Sequence, residues 1–286
     1  SLTLAITVPK KLMAVANGRL RSITKNKGKS KTYLWAVTSP INTYGVNINI
    51  GNYIGWGRPY DGEKGSLDMS FYVLEENYDK AQEHFLQVDD MLEAFEHWFG
   101  PYPFYEDGYK LVEVPYLGME HQSSVTYGNK YRNGYLGRDL SGTGWGLKFD
   151  YIIIHESGHE WFANNITYKD MADMWVHEGF TQYSEALFVE YHYGKEAGAE
   201  YVHGLRRSIS NRAPIIGPYE VFLSGSGDAY AKGANLLHTV RAILGDDEQW
   251  RQILRGINAD IYHQTVPTRQ IEQYINDRVP YDLTPV

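Results

Sequence analysis

The sequence predicts an α+β fold, a partial N-terminal β domain followed by a mostly helical domain that keeps a small sheet. Three observations carry that prediction. Short β-branched and aromatic runs fill residues 1–60, punctuated by Pro9-Lys10, Asn17-Gly18, Lys27-Gly28 and Ser39-Pro40. From Lys148 onward, apolar residues recur at helical spacing. A length of 286 residues with 43% hydrophobic content suffices for one large domain or two.

In chain order, residues 2–8, 13–16, 32–37 and 46–53 read as strands. Val46-Asn47-Ile48-Asn49-Ile50 alternates apolar and polar with period two, as a strand with one buried face should. Residues 55–65, with Gly57, Pro59 and Gly62, read as a boundary, which places the division at 60/61. Residues 66–73 form another expected strand and 79–99 a helix. Its Phe85, Val88, Leu92, Phe95 and Phe99 are spaced three or four apart as a core stripe, and Gly100-Pro101 stops it. Residues 110–114 and 123–127 are expected strands flanking Met119-Glu120-His121. The glycine-rich stretch 128–146 is expected to be a mobile loop. Helices are expected at 148–163, 170–193, 196–211, 229–244, 247–257 and 268–277, the last with Ile271, Tyr274 and Ile275 on one face. There is no internal repeat and no low-complexity tract.

A net charge of −8 argues against a nucleic-acid surface. The only basic run, from Lys25 to Lys31, includes Gly28 and Ser30 and reads as a solvated hairpin tip. With no cysteine, disulfides, cysteine-ligated metal and thiol catalysis are all excluded, while the compartment is left open. No apolar stretch reaches the roughly 18 residues of a membrane-crossing helix. The chain opens on Ser1 and closes on Pro285-Val286, and both ends read as cut from something longer.

The chemistry is concentrated in His155-Glu156-Ser157-Gly158-His159 and Glu178. Imidazoles four residues apart on a helix differ by roughly 40° in azimuth, with Cβ atoms about 6 Å apart, so both rings can reach one ion at about 2.1 Å. Glu156 can stand beside that ion without ligating it and take a proton from water. Glu178 follows His159 after 18 intervening residues, room for one helix to end and another to return with a carboxylate. Three protein ligands leave a fourth position for water, the mark of a catalytic zinc site. Tyr151-Ile152-Ile153-Ile154 before the motif and Trp161-Phe162 after it place it on a core helix. Unpaired histidines there would cost several kcal/mol without a neutralising partner.

Together with Gly179-Phe180, the upstream Met119-Glu120 and the downstream Tyr230-Ala231-Lys232-Gly233, this motif resembles the gluzincin aminopeptidases of the M1 family, the relatives of aminopeptidase N and leukotriene hydrolase. The resemblance covers nearly the whole chain. It implies that residues 1–60 are the end of a β saddle domain and 61–286 a thermolysin-like zinc peptidase domain. The start of the saddle and a C-terminal helical domain would lie outside it.

The resemblance further implies one Zn2+ per chain on His155, His159 and Glu178, with Glu156 as the base that activates water and then protonates the leaving nitrogen. It casts Tyr230 as the donor to the tetrahedral oxyanion. Gly118, Met119 and Glu120 become substrate-binding residues, Glu120 pairing with the free α-ammonium of a peptide. Here the segment reads Leu117-Gly118-Met119-Glu120-His121, with the leading glycine displaced by one and His121 where the family has asparagine. His177 takes the place of the asparagine before the glutamate ligand; adjacent helical residues face different ways, so Glu178 rather than His177 is the ligand. Glu185, seven residues on, either accepts a hydrogen bond from a zinc histidine or makes an exposed ion pair.

The expected function is removal of N-terminal residues from peptides. Two further readings stand beside it: a zinc endopeptidase or di-/tripeptidase with altered N-terminus recognition, and a non-catalytic peptide-binding remnant.

Overall fold

The computed structural model describes residues 1–286 and has the predicted α+β architecture. Its N-terminal part holds two small sheets. Strands β1 (Leu2–Pro9), β3 (Arg19–Lys25) and β4 (Ser30–Val37) form one antiparallel sheet in the order β1-β4-β3, and β2 (Met13–Ala16) pairs with β5 (Ile48–Gly51). Val8, Ala14, Val15, Ala16, Tyr33 and Trp35 make a separate small core, to which Val112 of the neighbouring sheet contributes. The basic run is the β3–β4 hairpin tip, as expected. Strand β3 itself escapes the sequence reading because its side chains are almost all solvent-facing.

The stretch read as a boundary is instead a long hairpin. Strands β6 (Tyr53–Gly62) and β7 (Gly65–Leu74) pair over their whole length, and 60/61 falls inside β6. Its glycines sit where side chains crowd: a Cβ on Gly55 would lie 2.7 Å from the Tyr72 ring. Strands β8 (Tyr109–Glu113), β9 (Gly118–Met119) and β10 (Val125–Tyr127) complete a five-stranded sheet, order β6-β7-β8-β10-β9, with β9 at the edge.

Helices pack on this sheet around a core of 52 buried residues. The helix expected at 79–99 is broken into α1 (Tyr78–His84) and α2 (Gln87–Phe99) at Phe85-Leu86, yet Phe85, Val88, Leu92, Phe95 and Phe99 are buried as the stripe predicts. The remaining helices are α3 (Tyr151–Gly158), α4 (Trp175–Tyr193), α5 (Lys195–Gly204), α6 (Ala231–Leu244), α7 (Asp247–Asp260) and α8 (Thr268–Asn276). The helices expected at 148–163 and 170–193 are thus shorter. Between them, β11 (Ile166–Tyr168) pairs in parallel with β12 (Gln264–Val266), a contact between distant segments that no local pattern announces.

The glycine-rich loop is tied down rather than free. Asn129 Nδ2 donates to the carbonyls of Arg132 and Gly134 and to Asp150, each at 2.8 Å. Asp150 also caps α3, accepting from the amides of Ile152 at 2.9 Å and Ile153 at 3.3 Å.

The two parts meet along a polar seam. The Asn17 amide, fully buried, donates to the carbonyls of Gly45 at 2.8 Å and Gln122 at 2.6 Å and accepts from the Asn47 amide at 2.7 Å. Gly18 N donates to Ser123 Oγ at 2.9 Å. Lys110, also buried, donates to the carbonyls of Gly18 at 2.6 Å and Ser123 at 2.9 Å. The N-terminal sheets thereby grip the segment that carries Glu120.

Candidate active site

Two close helix crossings build the site. Helix α3 meets α4 at Gly158, where an added Cβ would stand 2.7 Å from Ser184 Oγ, and this turns His155 and His159 toward Glu178. Helix α4 meets α6 at Gly179 and Gly233, where a Cβ on Gly233 would lie 2.8 Å from the Gly179 Cα. The second crossing sets Tyr230, at the head of α6, beside Glu178. The glycines of the two sequence motifs therefore have a packing reason: backbones touch there.

Glu178 Oε2 lies 3.5 Å from His155 Nε2 and 3.3 Å from His159 Nε2, and one ligand atom from each residue falls within 4.8 Å of the others. That oxygen is buried and has no hydrogen-bond partner. A buried carboxylate oxygen facing two imidazole nitrogens fits a divalent ion, and two nitrogens with one carboxylate are a zinc donor set.

The far side of each imidazole is fixed. His155 Nδ1 donates to Glu185 Oε1 at 2.6 Å, and Glu185 in turn accepts from Gln182 and Tyr201, each at 2.5 Å. His159 Nδ1 is 2.9 Å from the Phe162 carbonyl and 3.0 Å from Thr181 Oγ1. Since carboxylate and carbonyl oxygens only accept, both rings carry hydrogen on Nδ1, which leaves Nε2 as the atom turned toward Glu178. Glu185 is fully buried, which settles its role as the partner of His155 rather than an exposed ion pair. Tyr151, Gln182, Thr181 and Tyr201 join this support; nothing in the local sequence pattern marked them.

The electrostatics favour positive charge here. Burial alone would lower the His159 pKa, but Glu178 and Glu120 outweigh it and raise it to about 9. Glu156 is pushed up to about 7 by burial, with His155 pulling down and Glu120 pushing up. Its carboxylate, with those of Glu120 and the His159 ring, forms a second group within 4.8 Å. The geometry thus brings Glu156 and Glu120 to the ligand triad.

His177 is no ligand. Its Nε2 accepts from the Tyr168 amide at 2.8 Å, and burial with the neighbouring His159 lowers its pKa to about 3. Its ring is stacked on Tyr168, with centroids 4.2 Å apart.

Tyr230 is 37% exposed as a residue, and its ring lies nearly parallel to that of His155 at 6.2 Å. Burial and the facing Glu178 raise its pKa well above the ordinary phenol value, so it remains a donor. Gly118 lies where β9 approaches α3 most closely: a Cβ there would meet Ile152 Cγ2 at 2.6 Å and Glu156 Cγ at 3.4 Å. Met119 pairs with Thr126 of β10, and the Glu120 carbonyl accepts from Asn164 Nδ2 at 2.8 Å. The displaced glycine thus serves to bring this edge strand over Glu156.

Fold and donor set together define a zinc-metallopeptidase type of domain. The Peptidase family M1 domain matches residues 84–284, and the chain belongs to that family. It is 25% identical over 243 residues to endoplasmic reticulum aminopeptidase 1 of Mus musculus, a match covering 80% of this chain and 25% of that protein. It is 22% identical over 287 residues to leukotriene A-4 hydrolase of Xenopus laevis, covering 94% of this chain and 44% of the relative. Among solved structures, an M1 zinc metallopeptidase from Deinococcus radiodurans superposes with a TM-score of 0.76 at 22% identity, over 96% of this chain and 59% of that one. The chain spans only part of these relatives' length. No helix is long and apolar enough to cross a membrane.

Proposed function

We propose that this chain carries the catalytic centre of a zinc aminopeptidase that removes N-terminal residues from peptides. The observation that supports it best is the convergence of His155, His159 and Glu178 around an unpartnered carboxylate oxygen, with Glu156 beside them. One Zn2+ held there supplies a Lewis acid that brings the pKa of water toward neutrality. Glu156 takes the proton of the attacking water and returns it to the leaving nitrogen, one carboxylate serving first as base and then as acid. Tyr230 donates to the oxyanion as it develops, a contribution of about 3 kcal/mol in comparable sites. Glu120 receives the substrate's α-ammonium, while Gly118 and Met119 present the edge of the sheet to the peptide. An internal peptide bond offers no ammonium, and that restricts cleavage to the chain end.

Metal analysis combined with an aminoacyl anilide and its N-acetylated form tests this reading. The expected result is one zinc per chain, loss of activity with a chelator, recovery with zinc, and strong preference for the free amine. Equal cleavage of both substrates would instead mark an endopeptidase. Zinc binding without turnover of either would mark a binding module. The domain assignment is likewise a proposal: the end of a saddle domain in the N-terminal sheets, then a thermolysin-like domain. The step between the two sheet systems falls at Asn52, between β5 and β6.

A further inference from the structure

Seven buried polar side-chain atoms lack a hydrogen-bond partner, among them Glu178 Oε2, the Tyr44 hydroxyl and His121 Nδ1. A zinc ion held by His155, His159 and Glu178 would account for the first. Tyr44 belongs to the N-terminal part of the chain, on a single 3-10 turn, Thr43–Gly45, and its ring packs toward the helix that carries Glu178. Its ring lies nearly parallel to that of His177, with centroids 6.5 Å apart, and His177 directly precedes Glu178. The His121 ring lies against the backbone of Tyr44 and Gly45.

The turn is fixed relative to Glu120. The Asn17 amide donates to the Gly45 carbonyl at 2.8 Å and to the Gln122 carbonyl at 2.6 Å, so one buried side chain sets the spacing between the two segments. Gly45 is also packed close: a Cβ there would touch Gln122 Cβ at 3.7 Å and Asn164 Oδ1 at 3.8 Å. Asn164 is the residue that holds the Glu120 carbonyl.

We propose that the Tyr44 hydroxyl is a further substrate-binding group, completing with Glu120 the pocket for the peptide's α-ammonium. An ammonium brings three N–H donors, and a single carboxylate at one side cannot satisfy all of them. A phenol oxygen that bonds to nothing in the protein is free to accept one of them. Burial and the nearby carboxylates of Glu120, Glu178 and Glu160 raise the Tyr44 pKa, which keeps the hydroxyl hydrogen in place. A buried hydroxyl without a partner carries a desolvation cost that a bound ammonium relieves. The N-terminal sheets then supply a recognition group as well as a support.

This inference rests on the aminopeptidase reading, and the test separates the two. The probe pair is an amino-acid hydroxamate with a free amine and its N-acetylated form, titrated into zinc-loaded protein by calorimetry. The variant is Tyr44→Phe, which keeps the ring on His177 and removes only the oxygen. Wild-type protein is expected to bind the free amine at least tenfold more tightly than the acetylated form. Tyr44→Phe should narrow that ratio about fivefold or more, with zinc content and affinity for the acetylated probe unchanged. A wide ratio that survives in Tyr44→Phe overturns the inference and leaves the aminopeptidase reading intact. Equal affinities in the wild type overturn the aminopeptidase reading itself. Weakening of both probes together, or loss of zinc, assigns Tyr44 a structural role through His177 and also overturns the inference.

Discussion

The two sides of the cleft are built in opposite ways. On the helical side, His155 and His159 are buried and every inward-pointing nitrogen is backed by a partner on the far face of its ring, from Glu185 to the Phe162 carbonyl. On the strand side, the backbone is firmly held but the polar ends are left loose: the Tyr44 hydroxyl and His121 Nδ1 bond to nothing. Chemistry needs fixed geometry, since small misplacements of reacting groups cost large factors in rate. Recognition needs unspent hydrogen-bonding capacity, because only groups not already satisfied gain from a ligand. The proposed roles therefore predict that substitutions on the helical side act on kcat and those on the strand side on KM.

The largest expected effect lies on the helical side. Glu156→Gln should keep its zinc and lose activity by roughly 10²- to 10⁴-fold, read as kcat beside metal content. Near-normal turnover would remove Glu156 from the base role. Tyr230→Phe should lower kcat by about 10²- to 10³-fold with KM little changed, because the hydrogen bond forms only as the oxyanion develops. Next comes the support of the metal. Glu185→Ala should weaken zinc affinity by about 10- to 100-fold in competition with a chelator, and excess zinc should restore much of the rate. An unchanged affinity would show that the buried contact does not tune the metal.

The strand side should respond differently. Glu120→Gln is expected to raise KM for free-amine substrates by roughly 10- to 100-fold, as loss of a charged hydrogen bond does, and to spare zinc binding. A fall in kcat at constant KM would blur the proposed division. The smallest effect concerns the seam beneath this side. Burial pushes the Lys110 pKa down to about 7 from 10.5. Between those values the unfolded chain binds a proton that the folded one lacks, so this group makes stability rise with pH across the window and level off above it. Urea unfolding of zinc-loaded wild type and Lys110→Met at pH 7.5 and 9.5 should show that slope in the difference. The change should stay below about 2.7 kcal/mol over two pH units. A flat difference would mean that the amine is not neutral in the fold.

The helical side was the legible one. His155 and His159 lie one turn apart, and Glu185 lies two turns beyond Glu178, so helical periodicity alone places them on the faces where the structure has them. Strand β3 was missed because its exposed side chains give no alternation to read. The pairing of β11 with β12 joins residues nearly 100 positions apart, and the bond from Asn17 to Gln122 spans 105. Tyr44 was invisible for the same reason: one of 24 tyrosines, it gains meaning only through long-range folding. The hairpin at residues 53–62 and 65–74 shows how glycines can mislead. They read as a break, but Gly55 makes room for the Tyr72 ring of the partner strand, Gly57 for the Met69 carbonyl and Gly62 for the Tyr105 hydroxyl.

The meeting of Gly179 and Gly233 has one more consequence. Where two main chains rest on each other at a pair of glycines, the gap between the Glu178 carboxylate and the Tyr230 phenol is set at its narrow limit by backbone contact. No substitution at that junction can shorten the gap, and any larger residue can only pry it open. Changes of substrate are therefore easier to accommodate in the walls around this corner than at the corner itself.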